Sequence, residues 1–458
     1  MSAAICILAA GKGQRMCSDL PKVLHDIGGR ALVAHVLDTA ARVSDAQPVV
    51  VYGHGGDLLR TALAGYDIAW VEQREQLGTG HAVAQALPLL PAGQTVLILY
   101  GDVPLLSVNT LSRLLSAAQE TGFALLTATL ADASGYGRIV RGAGGEILRI
   151  VEQKDATPEE LALGEFNTGV MAVSGAYLHR WLPTLGNDNS QGEYYLTDCV
   201  ARAVAEGIRV VGVSTLDVLE VTGVNDRVQL ASLERAYQRA AAQALMTSGV
   251  TLRDPERIDI RGSLVSGRDT IIDVNAVFEG RVTLGAQVRI GPNCLIVNST
   301  LGDGVEVLAN SVIEGARIGA RARIGPFARI RPETELAAEV HIGNFVEVKK
   351  SSLGEKSKAN HLAYIGDSEI GRNVNVGAGT ITCNYDGAFK HKTIIEDDVF
   401  IGSDTQLVAP VRVGKGATIG AGTTVTEDVA AERLVISRVR QKSIAGWQRP
   451  RKRTPTPS

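Results

Sequence analysis

Three groups of residues in this 458-residue chain have types and spacings suited to chemistry. The first is Gly11-Lys12-Gly13-Gln14-Arg15-Met16, followed by Pro21-Lys22. A loop of backbone N–H groups with Lys12 and Arg15 at its tip, and Lys22 nearby in sequence, suits a polyphosphate. The second is Asp102, which follows an apolar run at residues 95–100 and Gly101. A carboxylate at that position suits a divalent cation, and Mg²⁺ takes one or two carboxylates together with phosphate oxygens. The third gathers Arg331, Glu347, Lys349, His361, Tyr364, Asn375, Asn384 and Tyr385. Its cations suit a sugar phosphate. Histidine, with an unperturbed pKa of about 6.5, can serve as a general base near neutrality. Glu347 lies fourteen residues before His361, close to one coil of the repeat described below, and is expected to reach the ring and orient it.

Each group has a plainer reading. The glycine loop could be a tight strand-to-helix turn, Asp102 could cap the helix after it, and a lone histidine is more often a packed or surface residue. Spacing removes two sharper readings of the loop. A Rossmann fingerprint needs a glycine where Met16 stands, with an acidic residue ending the next strand. A Walker A loop needs GxxxxGK[ST], which is absent.

The elements that must position these groups follow from hydrophobic pattern. Apolar runs at residues 5–10, 48–52 and 95–100 read as buried strands, and helical stretches alternate with them at 31–43, 81–87 and 110–120. That alternation predicts an α/β, mostly parallel sheet with helices on both faces. Ligands in such sheets bind at the carboxyl ends of strands, where both the glycine loop and Asp102 lie. Residues 226–247 carry a helical pattern that Asn225 or Asp226 could cap and Gly249 could end. Beyond it an aliphatic residue recurs every six positions: Ile318, Ile324, Ile330, Leu336, Ile342, Val348, and again Ile395, Ile401, Leu407, Val413, Ile419, Val425. Six matches neither helix nor simple strand and signals a parallel β-helix, three hexads to a coil. An interior of thin stacked aliphatics agrees with only 4% aromatic residues. The stretches 348–365 and 383–392 read as breaks in the repeat, where loops carry function. The expected domains are 1–225, a helical linker 226–249, a β-helix 250–446, and a basic tail 447–458 that reads as disordered.

A formal net charge of −3 argues against a nucleic-acid surface. Five scattered cysteines without a CxxC signal neither a disulfide framework nor a zinc site, and suit a reducing cytoplasm. The short apolar run at 5–10 lacks a basic flank and does not read as a signal peptide. No apolar run approaches the ~20 residues that span a bilayer, so membrane insertion is not expected.

Residues 8–16 with Pro21-Lys22 resemble the signature of the sugar-nucleotide pyrophosphorylases, with Gln14 where that family has Thr or Ser. Gln73, Gly78-Thr79-Gly80-His81, Tyr100-Gly101-Asp102, Gly135-Tyr136-Gly137-Arg138, Ile150-Val151-Glu152, Asn167-Thr168-Gly169 and Gly223-Val224-Asn225 resemble the members that make UDP-N-acetylglucosamine. Arg331-Pro332, Lys349-Lys350, His361, Tyr364 and Asn384-Tyr385 extend the likeness to the bifunctional family, over residues 5 to 447. In it an N-acetylglucosamine-1-phosphate uridylyltransferase is fused to a glucosamine-1-phosphate acetyltransferase.

The resemblance implies a Rossmann-like nucleotidyltransferase domain followed by a left-handed parallel β-helix, a homotrimer, and Mg²⁺, with acetyl-CoA and UTP as co-substrates. It implies that Leu8, Ala9, Ala10, Gly11, Gln73, Gly78 and Thr79 hold uracil and ribose, with Tyr100 and Gly101 beside them. Arg15 and Lys22 face the phosphates. Gly137, Glu152 and Asn167 hold N-acetylglucosamine, and Asp102 and Asn225 hold Mg²⁺. In the second domain Arg331, Lys349, Tyr364 and Asn375 meet glucosamine-1-phosphate, and Ala378, Asn384, Tyr385, Ser403, Ala421 and Arg438 meet acetyl-CoA. A one-activity uridylyltransferase whose β-helix only assembles subunits, and a non-catalytic scaffold, are the alternatives. The latter would need both sites degraded, which the sequence does not show.

Overall fold

The computed structural model describes residues 3–450, so residues 451–458 of the expected tail lie outside the described residues. The chain packs as two compact units. One runs to Ala244 and takes in Asp259–Gly262; the other comprises Leu245–Ile258 and the chain from Ser263 onward.

The first unit is built on a mixed sheet. Its strand order is Val211–Ser214, Phe123–Thr129, Glu165–Ser174, Thr95–Tyr100, Ala4–Ala9, Val49–Tyr52, Ala69–Glu72. Strands Thr95–Tyr100, Ala4–Ala9, Val49–Tyr52 and Ala69–Glu72 are parallel. Glu165–Ser174 runs antiparallel to both of its neighbours, a reversal that the strand–helix alternation did not reveal. A hairpin of Arg138–Arg141 and Ile147–Val151 extends the sheet. Residues alternate across a strand. Ile5, Ile7, Leu97 and Leu99 therefore enter one apolar core, and Cys6, Leu8, Val96 and Ile98 the other. Helix Arg227–Thr247 is capped by Asp226, whose Oδ1 accepts from Gln229 N at 2.8 Å. Its Leu233 packs with Met16, Ile27, Leu32 and Val224. Asn225 is thereby released from capping.

The second unit is a parallel β-helix. Every aliphatic residue of the two hexad runs is buried, none more than 4% exposed. Coil length is where the pattern needed the structure. Ile324 pairs with Ile342, eighteen residues on, but Ile342 pairs with Ala359, seventeen on. The shorter coils take one five-residue side, for example Val348 to Leu353 and Ile365 to Ile370. Buried serines at those corners satisfy backbone groups of the next coil. Ser299 Oγ accepts from Ala316 N at 3.1 Å and Ser351 Oγ from Ser368 N at 3.0 Å. The stretch 348–365 is therefore a continuous coil with Leu353 and Ala359 inside, and not a break. The other interruption is a true loop. Val376 pairs with Ile401, twenty-five residues on, and the additional chain projects between Ile381–Cys383 and Thr393–Ile395.

Candidate functional site

At the carboxyl ends of the parallel strands a cleft of ≈ 750 Å³ opens over the glycine loop. Leu8, Ala9, Ala10, Gly11, Arg15, Lys22, Gln73, Gly78, Thr79, Tyr100, Asp102 and Asn225 all line it, together with Lys12, Gln14, Gln76 and Glu193. Gly13 has φ +60°, and a Cβ there would lie 2.7 Å from the Lys22 Cβ. Only glycine lets the loop cross the lysine stem that closely. Gln73 is buried and donates to Gly78 O at 3.1 Å, which holds the turn before helix Thr79–Ala86. Gly101 donates its N–H to Leu8 O at 2.9 Å, behind the cleft wall.

Asp102 is not the cap of the following helix. That cap is Ser107, whose side chain accepts from Thr110 N at 3.2 Å. Val224 N donates to Asp102 O at 2.9 Å, and this clip brings Asn225 beside the carboxylate. Asp102 Oδ2 and Asn225 Oδ1 then converge on the Lys22 ammonium, the latter at 3.3 Å. Two oxygens gathered around one cation form a donor set that fits Mg²⁺ completed by phosphates. Among the described residues no group of three or more His, Cys, Asp or Glu could hold a metal by itself.

Gly137, Glu152 and Asn167 gather beside this cleft. Asn167 N donates to Gly137 O at 2.8 Å, and a Cβ on Gly137 would lie 3.3 Å from Glu152 Oε2. The Asn167 side-chain Oδ1 accepts from Gly169 N at 3.1 Å. Burial pushes the Glu152 carboxyl up, with Asp198, Asp155 and Glu193 adding to it, while a hydrogen bond from Thr197 Oγ1 at 3.0 Å opposes. Tyr100 connects the two groups. Its phenol is pushed up by burial and then by the charges of Glu152 and Asp102, against a hydrogen bond with Thr79.

In the β-helix two columns of outward residues carry the remaining candidates. Lys349 pairs with Gly366, and Glu347 with Tyr364. Gly366 has no side chain, and a Cβ there would lie 2.5 Å from the Tyr364 hydroxyl, so the ring lies across it. Arg331 Nη1 donates to Glu347 Oε1 at 2.8 Å. Lys349 stands against Lys390 and then Arg331, which push its ammonium down, while Asp367 opposes them. Asn384 is buried and donates to Asp367. Lys390 and Asp367 thus belong to this cluster, and sequence reasoning missed them. Lys390 lies in the projecting loop, and Asp367 precedes Asn384 by seventeen residues, one short coil.

The other column runs along a coil edge. His361 is in register with Asn344, and its Nδ1 lies 3.1 Å from Asn344 Oδ1. An amide carbonyl only accepts, so this contact suits the tautomer with the proton on Nδ1 and the lone pair on Nε2. The expected partner was Glu347. It is displaced because a coil here is seventeen residues, not fourteen, so Glu347 falls beside Tyr364 and pairs with Arg331. Ala378, Ser403 and Ala421 continue this edge in later coils. Asp404 N donates to Ala378 O at 2.7 Å, Gly422 N to Ser403 O at 2.8 Å, and Arg438 Nε to Ala421 O at 3.1 Å. Asn375 lies on the same set of strands, in register with Lys358 and Phe400, away from the Lys349 column. Tyr385 is 60% exposed on the projecting loop, its hydroxyl donating to Gly387 O at 2.6 Å.

Three family models match separate parts of the chain. The MobA-like NTP transferase domain covers residues 5–163, the GMPPB C-terminal domain residues 260–344, and the bacterial transferase hexapeptide (six repeats) residues 392–427. A "Bifunctional protein GlmU" of Methylococcus capsulatus is 60% identical over 97% of this chain and 97% of its own. One of Marinobacter nauticus is 57% identical over 98% of this chain and 99% of its own. One of Cupriavidus pinatubonensis is 58% identical over 98% of this chain and 99% of its own.

Proposed function

This chain belongs to the family of the bifunctional GlmU proteins, and from that premise we propose how its residues divide the work of two transfer reactions. The enzyme transfers acetyl from acetyl-CoA to glucosamine-1-phosphate, and uridylyl from UTP to N-acetylglucosamine-1-phosphate with release of pyrophosphate.

The uridylyl step belongs to the cleft of the first unit. Gln73, Gly78 and Thr79 bind the base and ribose, and Gly137, Glu152 and Asn167 bind the acetylated sugar. A phosphate oxygen of the sugar phosphate bonds to the α-phosphorus of UTP as the bond to pyrophosphate breaks. Arg15, Lys22 and the loop N–H groups hold the phosphates in line, so positioning and charge do most of the work. Asp102 and Asn225 would hold Mg²⁺, which supplies charge stabilisation on the phosphates when bound.

The acetyl step belongs to the β-helix. Arg331, Lys349, Tyr364 and Lys390 bind the phosphate end of glucosamine-1-phosphate, with Asn375 on the sugar. The amine attacks the thioester carbonyl, His361 Nε2 accepts the amine proton, and the CoA thiolate leaves. Asn344 keeps Nε2 free for that proton. The run of His361, Ala378, Ser403, Ala421 and Arg438 along one coil edge is the observation that carries this reading. It offers an extended molecule a continuous track from base to tail, with Asn384 and Tyr385 alongside.

A homotrimer accounts for an apolar ladder beside His361. Phe327 and Phe345 stack at 5.4 Å, and both remain about half exposed, as does Leu362. A cytoplasmic location is supported by five free cysteines. Among the described residues no helix is long and apolar enough to cross a membrane. The test is the purified protein with glucosamine-1-phosphate, acetyl-CoA, UTP and Mg²⁺, with thiol and pyrophosphate followed separately. Release of both supports the division; pyrophosphate release only from added N-acetylglucosamine-1-phosphate, without thiol, overturns the acetyl half.

A further inference from the structure

Lys22 occupies the place where a metal would be held. Its ammonium donates to Asp102 Oδ2 and lies 3.3 Å from Asn225 Oδ1, the same two oxygens offered to a divalent cation. The Lys22 and Asp102 side chains are only 13% and 16% exposed, so solvent screens the pair little. An ammonium and a dication cannot share that position, because each needs the carboxylate and they repel one another.

We propose that Lys22 is a displaceable stand-in for the metal. Without metal its ammonium neutralises Asp102. A divalent cation evicts it, and the released ammonium turns to the nucleotide phosphates in the same cleft. The proposal rests on the assignment of Asp102 and Asn225 as the metal-holding pair.

The local structure allows the side chain to move while its root stays fixed. Lys22 begins a short 3-10 turn, Lys22–Leu24, directly after Pro21, and Leu24 N donates to Pro21 O at 2.9 Å. Gly13 crosses over its Cβ, which pins the stem at its base. The remaining carbons of a lysine are flexible. Both destinations line one cleft: Asp102 with Asn225, and the loop from Gly11 to Arg15. Metal alone must break a shielded ion pair, so it binds weakly. A nucleotide that receives the ammonium relieves that cost, and by linkage the metal aids the nucleotide equally.

The test titrates Mn²⁺ into the full-length protein without nucleotide and reads free ion by electron paramagnetic resonance. Lys22→Met keeps much of the stem and removes the charge. It should bind Mn²⁺ about tenfold or more tighter than the parent, as expected when a shielded competing charge is removed. Equal or weaker binding overturns the proposal. Adding Asp102→Asn to Lys22→Met should abolish the gain; if the gain persists, the ion is not at Asp102 and the metal assignment itself fails. A parent protein whose UTP-supported Mn²⁺ binding is lost in Asp102→Asn, with no gain in Lys22→Met, refutes the stand-in and leaves the assignment intact. The unmutated protein gives a second reading through reductive methylation of lysines followed by peptide mass spectrometry. Mg²⁺ alone should speed labelling of Lys22, and Mg²⁺ with UTP should slow it again. No change, or slowing by Mg²⁺ alone, overturns the proposal whatever the variants do.

Discussion

Asn344→Ala isolates the orientation of the His361 ring. The Nδ1 atom of His361 meets Asn344 Oδ1 at 3.1 Å on an exposed coil edge. A neutral hydrogen bond in such a place contributes about 0.5–1.5 kcal/mol net, because water takes the vacated position. The variant should therefore lose roughly 2–12-fold in acetyl transfer. The loss belongs in kcat. The cluster around Lys349, proposed to hold the sugar phosphate, lies in a different column, so KM for glucosamine-1-phosphate should stay put. Thiol release from folded protein is the assay. In a His361→Ala background, Asn344→Ala should cost almost nothing more, since two groups acting as one are not additive. Glu347→Gln is the counter-test. Glu347 bonds Arg331 at 2.8 Å and sits away from the histidine, so its removal should move KM and not kcat. A loss beyond about 10²-fold in Asn344→Ala, full additivity with His361→Ala, or a kcat collapse in Glu347→Gln would refute this orientation.

Lys349 and Lys390 face one another with Arg331 nearby, so the pair gives up its first proton at lower pH than an ordinary lysine does. Glucosamine-1-phosphate binding should therefore weaken as pH rises through the alkaline range, and Lys390→Ala should move that limb to higher pH while raising KM; an unmoved limb in a KM titration contradicts the pairing. Buried Gln238 donates to Ile260 O at 2.9 Å and accepts from Ile260 N at 2.8 Å. A fragment ending at Thr247 should thus be less stable than one ending at Gly262, by about 1–3 kcal/mol, while both release pyrophosphate. Equal urea midpoints would remove that role from Gln238.

The two scaffolds were legible because both rest on periodicity. The strand–helix alternation exposed the cleft over the glycine loop, and the hexads exposed the interior of the coil down to individual residues such as Ile324 and Ile401. The short coils were harder to read. A corner with five residues keeps its inward aliphatic but shifts everything after it, and a serine hydroxyl rather than a hydrophobic signal completes the corner. A full coil back from His361 is seventeen residues, which puts Asn344 in register with it and leaves Glu347, fourteen back, out of register. The antiparallel strand Glu165–Ser174 was hidden for a related reason, since alternation along a strand carries no direction. Lys390 escaped notice because a projecting loop has no period, and only its folding back brings it to Lys349. Asn225 could equally have been a helix cap until Asp226 was seen in that role.

The proposed division gives one chain two chemically independent sites. The direct measurement is a paired assay of Asp102→Ala and His361→Ala, each shown to be folded, with thiol and pyrophosphate release followed in both. Asp102→Ala should lose pyrophosphate release and keep thiol release near the parent rate. His361→Ala should lose roughly 10²–10⁴-fold in thiol release and keep pyrophosphate release from supplied N-acetylglucosamine-1-phosphate. A folded variant that loses both activities, or that keeps the one assigned to its mutated site, would contradict the division of the chain into these two sites.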